Sequence, residues 1–259
     1  MKITCLCENT AYCDTFGAEH GLSLFIETNG RTILFDMGQT ELFAENAARL
    51  DVDLSAVDTA VLSHGHYDHG GGVKRFLELN KTAPVYLSRY AFGERYDGVG
   101  KYIGLDTTLA DEKRLVFTDG EMALGDGITL TDKRDGEKLY DLGSFGLNMV
   151  EDGVAVPDDF RHEQYMLCEE KGKRVLFSGC SHRGVLDIVR WFKPDVLVGG
   201  FHFSKIPTGD ELARYAAVLD GYDTAYITCH CTGLEQFAFM KERMRSLSYI
   251  SAGEVIEWE

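Results

Sequence analysis

The stretch from Ala60 to Gly72 reads A-V-L-S-H-G-H-Y-D-H-G-G-G and sets four metal-capable side chains, His64, His66, Asp68 and His69, close together in the chain. Upstream, Val57 to Leu62 is apolar and β-rich; downstream, Val73 to Leu79 carries apolar residues at helical spacing. The cluster is therefore predicted on a strand-to-helix turn at the carboxyl edge of a sheet. In an extended segment His64 and His66 project to one side, so two imidazoles can hold one cation. Asp68 and His69, where the chain turns into the helix, are displaced enough to hold a second. Gly65 and the run Gly70 to Gly72 let the backbone turn and leave room for an ion and its water. Any fold for this chain has to bring further donors to that turn.

Composition narrows the partners. A formal charge of -16, with no long block of one sign, opposes phosphate backbones and anionic membranes, so nucleic acid and membrane surfaces are not expected partners. No segment approaches the roughly 18 apolar residues of a spanning helix, and the apolar run in M-K-I-T-C-L-C-E-N-T is too short for a signal peptide, so a cytoplasmic location is expected. Seven cysteines in a chain of 259 residues are expected to stay reduced, and neither Cys5/Cys7 nor Cys229/Cys231 has C-x-x-C spacing.

Along the chain, Lys2 to Cys7 reads as a strand, and Leu22–Thr28 and Thr32–Asp36 as a hairpin with an Asn29-Gly30 turn. Asp36 then faces the same sheet edge as the histidines, either orienting a ligand imidazole or standing as a solvated turn residue. Leu42–Leu50 is predicted helical and Pro84–Ser88 a strand. From Arg89 to Asp111 the pattern loosens, with Tyr90, Phe92, Tyr96 and Tyr102 among glycines; they could stack on a flat heterocycle, but packing is the preferred reading. Leu115–Thr118 and Gly127–Thr131 read as strands, whereas Gly136–Pro157 lacks periodicity. Three later strands end in metal-capable residues, Cys180 and His182 after Arg174–Ser178, His202 after Asp195–Val198, and His230 after Ala225–Thr228, and His162 stands just before Tyr165–Cys168. Helices are expected at Glu211–Leu219 and at Gly233–Met244, the latter with Leu234, Phe237, Ala238 and Met240 as its apolar side. In an extended segment Cys229 and Cys231 face away from His230 and are assigned to the core. Strands in runs with helices outside them predict one α/β domain, a four-layer αββα sandwich of two similar halves.

The segment H-G-H-Y-D-H-G-G-G after a hydrophobic strand resembles the signature of the metallo-β-lactamase superfamily. With A-E-H-G-L-S, I-L-F-D-M-G-Q, N-A-A-R-L, G-C-S-H, G-G-F-H and H-C-T-G, the chain is similar to the branch named 7,8-dihydropterin-6-methyl-4-(β-ribofuranosyl)aminobenzene 5'-phosphate synthase or metallo-hydrolase. The resemblance implies a dinuclear centre in which His64, His66 and His162 hold one divalent ion and Asp68, His69 and His230 the other. Cys180 stands where relatives of the superfamily usually place a bridging aspartate. His182 and His202 are assigned to the rim, as substrate-phosphate or orienting groups, with a ligand role also open; His20 rests on the E-H-G match. Zinc suits this set, and manganese or iron would also be accepted. Three activities follow: a hydrolase acting on an ester or phosphoester, a pterin-coupling transferase, and a non-catalytic protein that keeps the site. In each catalytic case the partner is a small molecule, phosphorylated or pterin-like, and Asp68 is the expected catalytic group.

Overall fold

A computed structural model describes residues 1–258. The chain begins with β1 (Lys2–Cys7) and the hairpin β2 (Ser23–Thr28) and β3 (Arg31–Phe35), then α1 (Leu42–Arg49) and β4 (Thr59–Val61). The hairpin closes on Asn29 and Gly30, both at positive φ (49° and 76°), as a two-residue turn of this twist requires. After β4 come a single helical turn α2 (Tyr67–Gly70), α3 (Val73–Leu79), β5 (Val85–Ser88), the short β6 (Arg95–Tyr96) and β7 (Leu115–Thr118).

The second part of the chain supplies β8 (Glu121–Gly125), β9 (Ile128–Thr131), β10 (Asn148–Glu151), β11 (Val154–Pro157), β12 (Tyr165–Glu170) and β13 (Lys173–Phe177). There follow α4 (Val185–Phe192), β14 (Val196–Val198), α5 (Asp210–Asp220), β15 (Ala225–Thr228), α6 (Leu234–Lys241), β16 (Leu247–Tyr249) and β17 (Val255–Glu257).

Two seven-stranded sheets result, ordered β17-β1-β2-β3-β4-β5-β7 and β16-β15-β14-β13-β12-β9-β8. Residue alternation sorts the layers. Ile33 and Phe35 of β3 meet Val175 and Phe177 of β13 in the core between the sheets, while Leu34 turns outward to Phe43 and Phe76 of the first helical layer. Leu176, also pointing outward, meets Ile188, Leu212 and Met240 of the second. The predicted αββα sandwich is therefore the fold, its two apolar faces per sheet reflecting a strand period of two.

Two expectations need correction. Gly136–Pro157, without visible periodicity, contains β10 and β11, which pair antiparallel and join β6 in a third, three-stranded sheet. Helix α6 ends at Lys241 and buries Gln236 and Met240, leaving Leu234 55% exposed. The Gln236 amide donates to Ser204 O and Ile206 O, so a polar residue takes part of the inward face expected to be apolar.

Candidate metal centre

Strands β3 and β4 run parallel in one sheet, and β13, β14 and β15 run parallel in the other. Their carboxyl ends meet at one rim, the usual place for a site in open α/β sheets. Four residues there adopt left-handed backbone: Asp36 (φ 58°), Ser181 (φ 56°), His202 (φ 56°) and His230 (φ 49°). Each bends the chain sharply as it leaves a strand, turning side chains toward the gap between the sheets.

Asp36 is fully buried and accepts three hydrogen bonds, from Ser63 N–H, Ser63 Oγ and His69 Nδ1, each at 2.7 Å. A carboxylate only accepts, so His69 carries its proton on Nδ1 and presents the Nε2 lone pair. His230 is fixed the same way: its Nδ1 lies 2.8 Å from Asn9 Oδ1, an amide oxygen that also accepts from Gly21 N–H at 3.3 Å. The two Nε2 atoms face each other at 3.3 Å, with Cys180 Sγ 3.1 Å from His69 Nε2. Two converging lone pairs repel unless a proton or a metal cation sits between them. Two nitrogens bound tetrahedrally at about 2.0–2.1 Å stand about 3.3 Å apart, which is the separation found.

A second group lies alongside. His64 Nε2 is 3.3 Å from His182 Nε2, and the His66 ring centroid is 4.7 Å from His64 and 4.9 Å from His182. His162 packs 5.0 Å from His66; its Nδ1 faces Gly65 N–H at 2.8 Å and its Nε2 lies 3.5 Å from Asp158 Oδ2. Buried nitrogens without a partner, His66 Nε2, His162 Nε2, His182 Nδ1 and His202 Nδ1, collect at this place. Orphaned buried polar atoms are rare, and a cluster of them fits a site for cations. The donor set, imidazoles with one carboxylate and thiols, suits divalent transition metals.

Electrostatics agree with that fit. Burial pushes His64, His66 and His182 well below the ordinary histidine range, and the crowd of neighbouring imidazoles adds to it. Burial likewise brings His162, beside the Arg95 cation, and His230 down to about 4. These rings are neutral at physiological pH, the form that binds a cation. His69 goes the other way: burial lowers it, but the Asp36 and Asp68 carboxylates outweigh burial and raise it. Burial raises Asp68, yet His69, His20 and His230 together hold it well below the usual carboxylate range. Its Oδ2 lies 3.3 Å from both His20 Nε2 and His230 Nε2.

A cavity of about 220 Å³ opens onto the cluster, lined by His66, Tyr67, Asp68, Cys180, His182, His202, His230 and Cys231, with Ser204 and Lys205 at its mouth. The sequence model described as the metallo-beta-lactamase superfamily matches residues 16–222.

The chain belongs to the metallo-β-lactamase superfamily.

Two relatives from Methanocaldococcus jannaschii span essentially the whole superfamily chain. One is 30% identical, covers 100% of this chain and 97% of its own length, and is named 7,8-dihydropterin-6-methyl-4-(beta-D-ribofuranosyl)-aminobenzene-5'-phosphate synthase. The other, 29% identical with 98% and 99% coverage, is the uncharacterized protein MJ0448. Among solved structures, Tm1679, described as a metal-dependent hydrolase of the beta-lactamase superfamily, superposes with a TM-score of 0.84 at 27% identity, covering 100% of this chain and 99% of its own. Zinc-bound PqqB from Methylobacterium extorquens, 11% identical with a TM-score of 0.58 and full coverage of both chains, shares the fold alone.

Within this superfamily member the structure gathers His64, His66, Asp68, His69, His162, Cys180 and His230 at one place, with Asp36 behind His69. His182, assigned to the rim with a ligand role also open, is buried, lies against His64 and lines the cavity, the left-handed turn at Ser181 sending Cys180 and His182 to different parts of the cluster. His202 does sit nearer the mouth, its ring 4.4 Å from His182. His20 is exposed, lines the cavity and lies 3.3 Å from Asp68. Cys229 belongs to the core between the sheets as expected, but Cys231 lines the cavity. The strand alternation that assigned Cys231 to the core fails because His230 to Thr232 form a tight helical turn. Neither Tyr90, Phe92, Tyr96 nor Tyr102 lines the cavity.

Several supporting residues escaped the sequence reading. Glu163 is fully buried and accepts the backbone N–H groups of His182 (2.7 Å) and Arg183 (3.0 Å) and the Tyr165 hydroxyl (2.8 Å). Glu8 accepts His230 N–H (2.6 Å) and the Tyr249 hydroxyl (2.5 Å). Each thus clamps one loop that carries a cluster histidine. Phe160 stacks on His182 (centroids 4.6 Å, interplanar angle 14°), and buried Arg95 pairs with Asp158 at 3.2 Å. Position offered a hint only for Glu8-Asn9, which follow a strand as the histidines do.

Proposed function

We propose that this chain is a metal-dependent hydrolase with two divalent cations, zinc fitting the donor set best, acting on an ester or phosphoester of a small molecule in the cytoplasm. The observation that carries it is the opposed pair His69 Nε2 and His230 Nε2, each held with its proton on the far nitrogen. His64, His66 and His182, with His162 flanking, would hold one cation, and His69, His230 and Cys180 the other, with Asp68 alongside. The chemistry these residues would gain from such cations is a more acidic water and a polarised substrate oxygen.

The remaining work falls to the chain. Asp36 and Asn9 keep two imidazoles in the tautomer that offers Nε2. Asp68, ionised and facing the cavity, accepts the proton of the attacking water, and His20 beside it, exposed at the cavity wall, can relay that proton to solvent. The cavity admits the reacting end of a substrate, while the rest lies outside; Lys205 at the mouth is placed to meet a phosphate or carboxylate on that end.

Metal analysis of cautiously purified protein, followed by reconstitution and a panel of esters, phosphodiesters and phosphomonoesters, tests this reading. About two transition-metal ions per chain and metal-dependent release of alcohol or phosphate are expected. Less than one ion per chain, with none gained on reconstitution, sinks it.

A second reading, that the chain couples a dihydropterin to a ribosylated aminobenzene, is favoured by the name of the 30%-identical relative. Incubation with a dihydropterin pyrophosphate and an aminobenzene ribotide separates the two: a synthase forms a coupled product, a hydrolase only releases phosphate or alcohol.

A further inference from the structure

The second cation position has an unused donor beside it. The ligand atoms of Cys180, His230 and Cys231 lie within 4.8 Å of one another, and all three residues are buried. Two thiolates on one tetrahedral cation, each at about 2.3 Å, stand about 3.8 Å apart, so the cysteine pair needs only a small adjustment to share one. The left-handed backbone at His230 and the helical turn after it bring His230 and Cys231 to the same side of the chain.

The surroundings of Cys231 keep its sulfur free. Its hydrogen bond to Cys180 O is long, at 3.5 Å, and so a weak restraint on the sulfur. Gly200 stands against it: a Cβ there would lie 2.4 Å from Cys231 Sγ, so a glycine holds open the space the sulfur occupies. Buried structural cysteines normally pack among apolar side chains, as Cys168 and Cys229 do between the sheets. Cys231 instead lines a polar cavity beside Asp68, His182 and His230.

We propose that Cys231 is a direct ligand of the second cation, making that position a sulfur-rich seat of Cys180, Cys231, His69 and His230 that selects thiophilic cations over manganese or magnesium. This rests on the dinuclear reading above. The two positions are then chemically unequal, one built of imidazoles and the other half of sulfur. Two thiolates neutralise the divalent charge at the second position and release Asp68 from binding it, leaving the Asp68 carboxylate to take a proton.

Cobalt-reconstituted full-length protein provides the test, since a thiolate bound to cobalt gives a near-ultraviolet charge-transfer band whose intensity counts sulfurs. The wild type should show twice the band of Cys180→Ser or of Cys231→Ser at equal cobalt loading. The double variant should show none, and Cys13→Ser, an exposed cysteine, should match the wild type. Zinc-over-manganese preference should fall at least tenfold in Cys231→Ser. A band unchanged by Cys231→Ser at full loading overturns the inference and leaves the metal reading intact; failure of the wild type to take up cobalt overturns both. Should Cys231→Ser not fold, cadmium NMR of the wild type decides alone: a two-sulfur resonance supports the assignment, and a one-sulfur or nitrogen–oxygen resonance refutes it.

Discussion

Asp36→Asn is the sharpest perturbation of the cluster, because it removes a charge and one acceptor while keeping shape. Asparagine tolerates the left-handed backbone of Asp36, so the chain itself need not move. Ser63 N–H is held by the backbone, so the new amide keeps its oxygen there and turns its NH2 toward Ser63 Oγ and His69 Nδ1. Two donors would then meet unless His69 shifts its proton to Nε2. That proton would point at Cys180 and His230, into the space assigned to a cation. Loss of such an orienting partner typically lowers metal affinity 10- to 100-fold, or about 1.4–2.7 kcal/mol. Loss of a charge-assisted hydrogen bond removes a further ~1.5–3 kcal/mol from folding stability. Competition against a chromophoric zinc chelator measures the first, and urea unfolding of metal-free protein the second. If Asp36→Asn binds zinc within threefold of the wild type, the account of His69 as a tautomer-locked ligand is wrong.

Other predictions follow from the same geometry. His182→Ala should weaken metal binding more than His162→Ala, because His162 Nδ1 is already engaged by Gly65 N–H; equal losses in equilibrium dialysis would contradict this. Gly65→Ala should destabilise the fold by at least about 2 kcal/mol in urea titrations, since its Cβ would sit 2.1 Å from Ala91 O, a backbone atom that cannot swing aside. Burial pushes the Cys168 thiol from its ordinary value of 9.0 up to about 12. The unfolded thiol therefore ionises first, so the associated stability is complete below about pH 9 and is lost as pH rises toward 12. Between those limits the wild type should lose about 1.4 kcal/mol per pH unit more than Cys168→Ala, and parallel curves would exclude it.

How much of this was readable from the chain depends on how local each contact is. His64 to His69 could be read because one short turn carries four donors, and Asp36 because a strand end announces its place. The layers were readable because residues such as Leu34 and Leu176 alternate with inward neighbours along their strands. Cys231 was misplaced because strand alternation was carried through His230, where the backbone turns left-handed, and the two roles left open for His182 could not be separated because Ser181 before it turns left-handed as well. The β10–β11 hairpin was invisible because Val154 to Pro157 is largely exposed and leaves no apolar alternation. Glu8 and Glu163 act on backbone N–H groups, and a contact to backbone imprints no residue pattern on its partner.

The left-handed turns at Asp36, Ser181, His202 and His230 also bear on how this protein can be improved. For residues other than glycine, such backbone costs roughly 1–2 kcal/mol each, and a domain of this kind is stable by only about 5–15 kcal/mol in total. Glycine at His202 would relax that cost while deleting a cluster imidazole, whereas at Asp36 it would also strip Ser63 and His69 of a buried acceptor, a larger loss. Selection for heat resistance alone would therefore be drawn to His202 before Asp36, and a clone improved in that way would have lost part of the cluster. A thermostability campaign on this scaffold should hold the four fixed and look for its gains elsewhere.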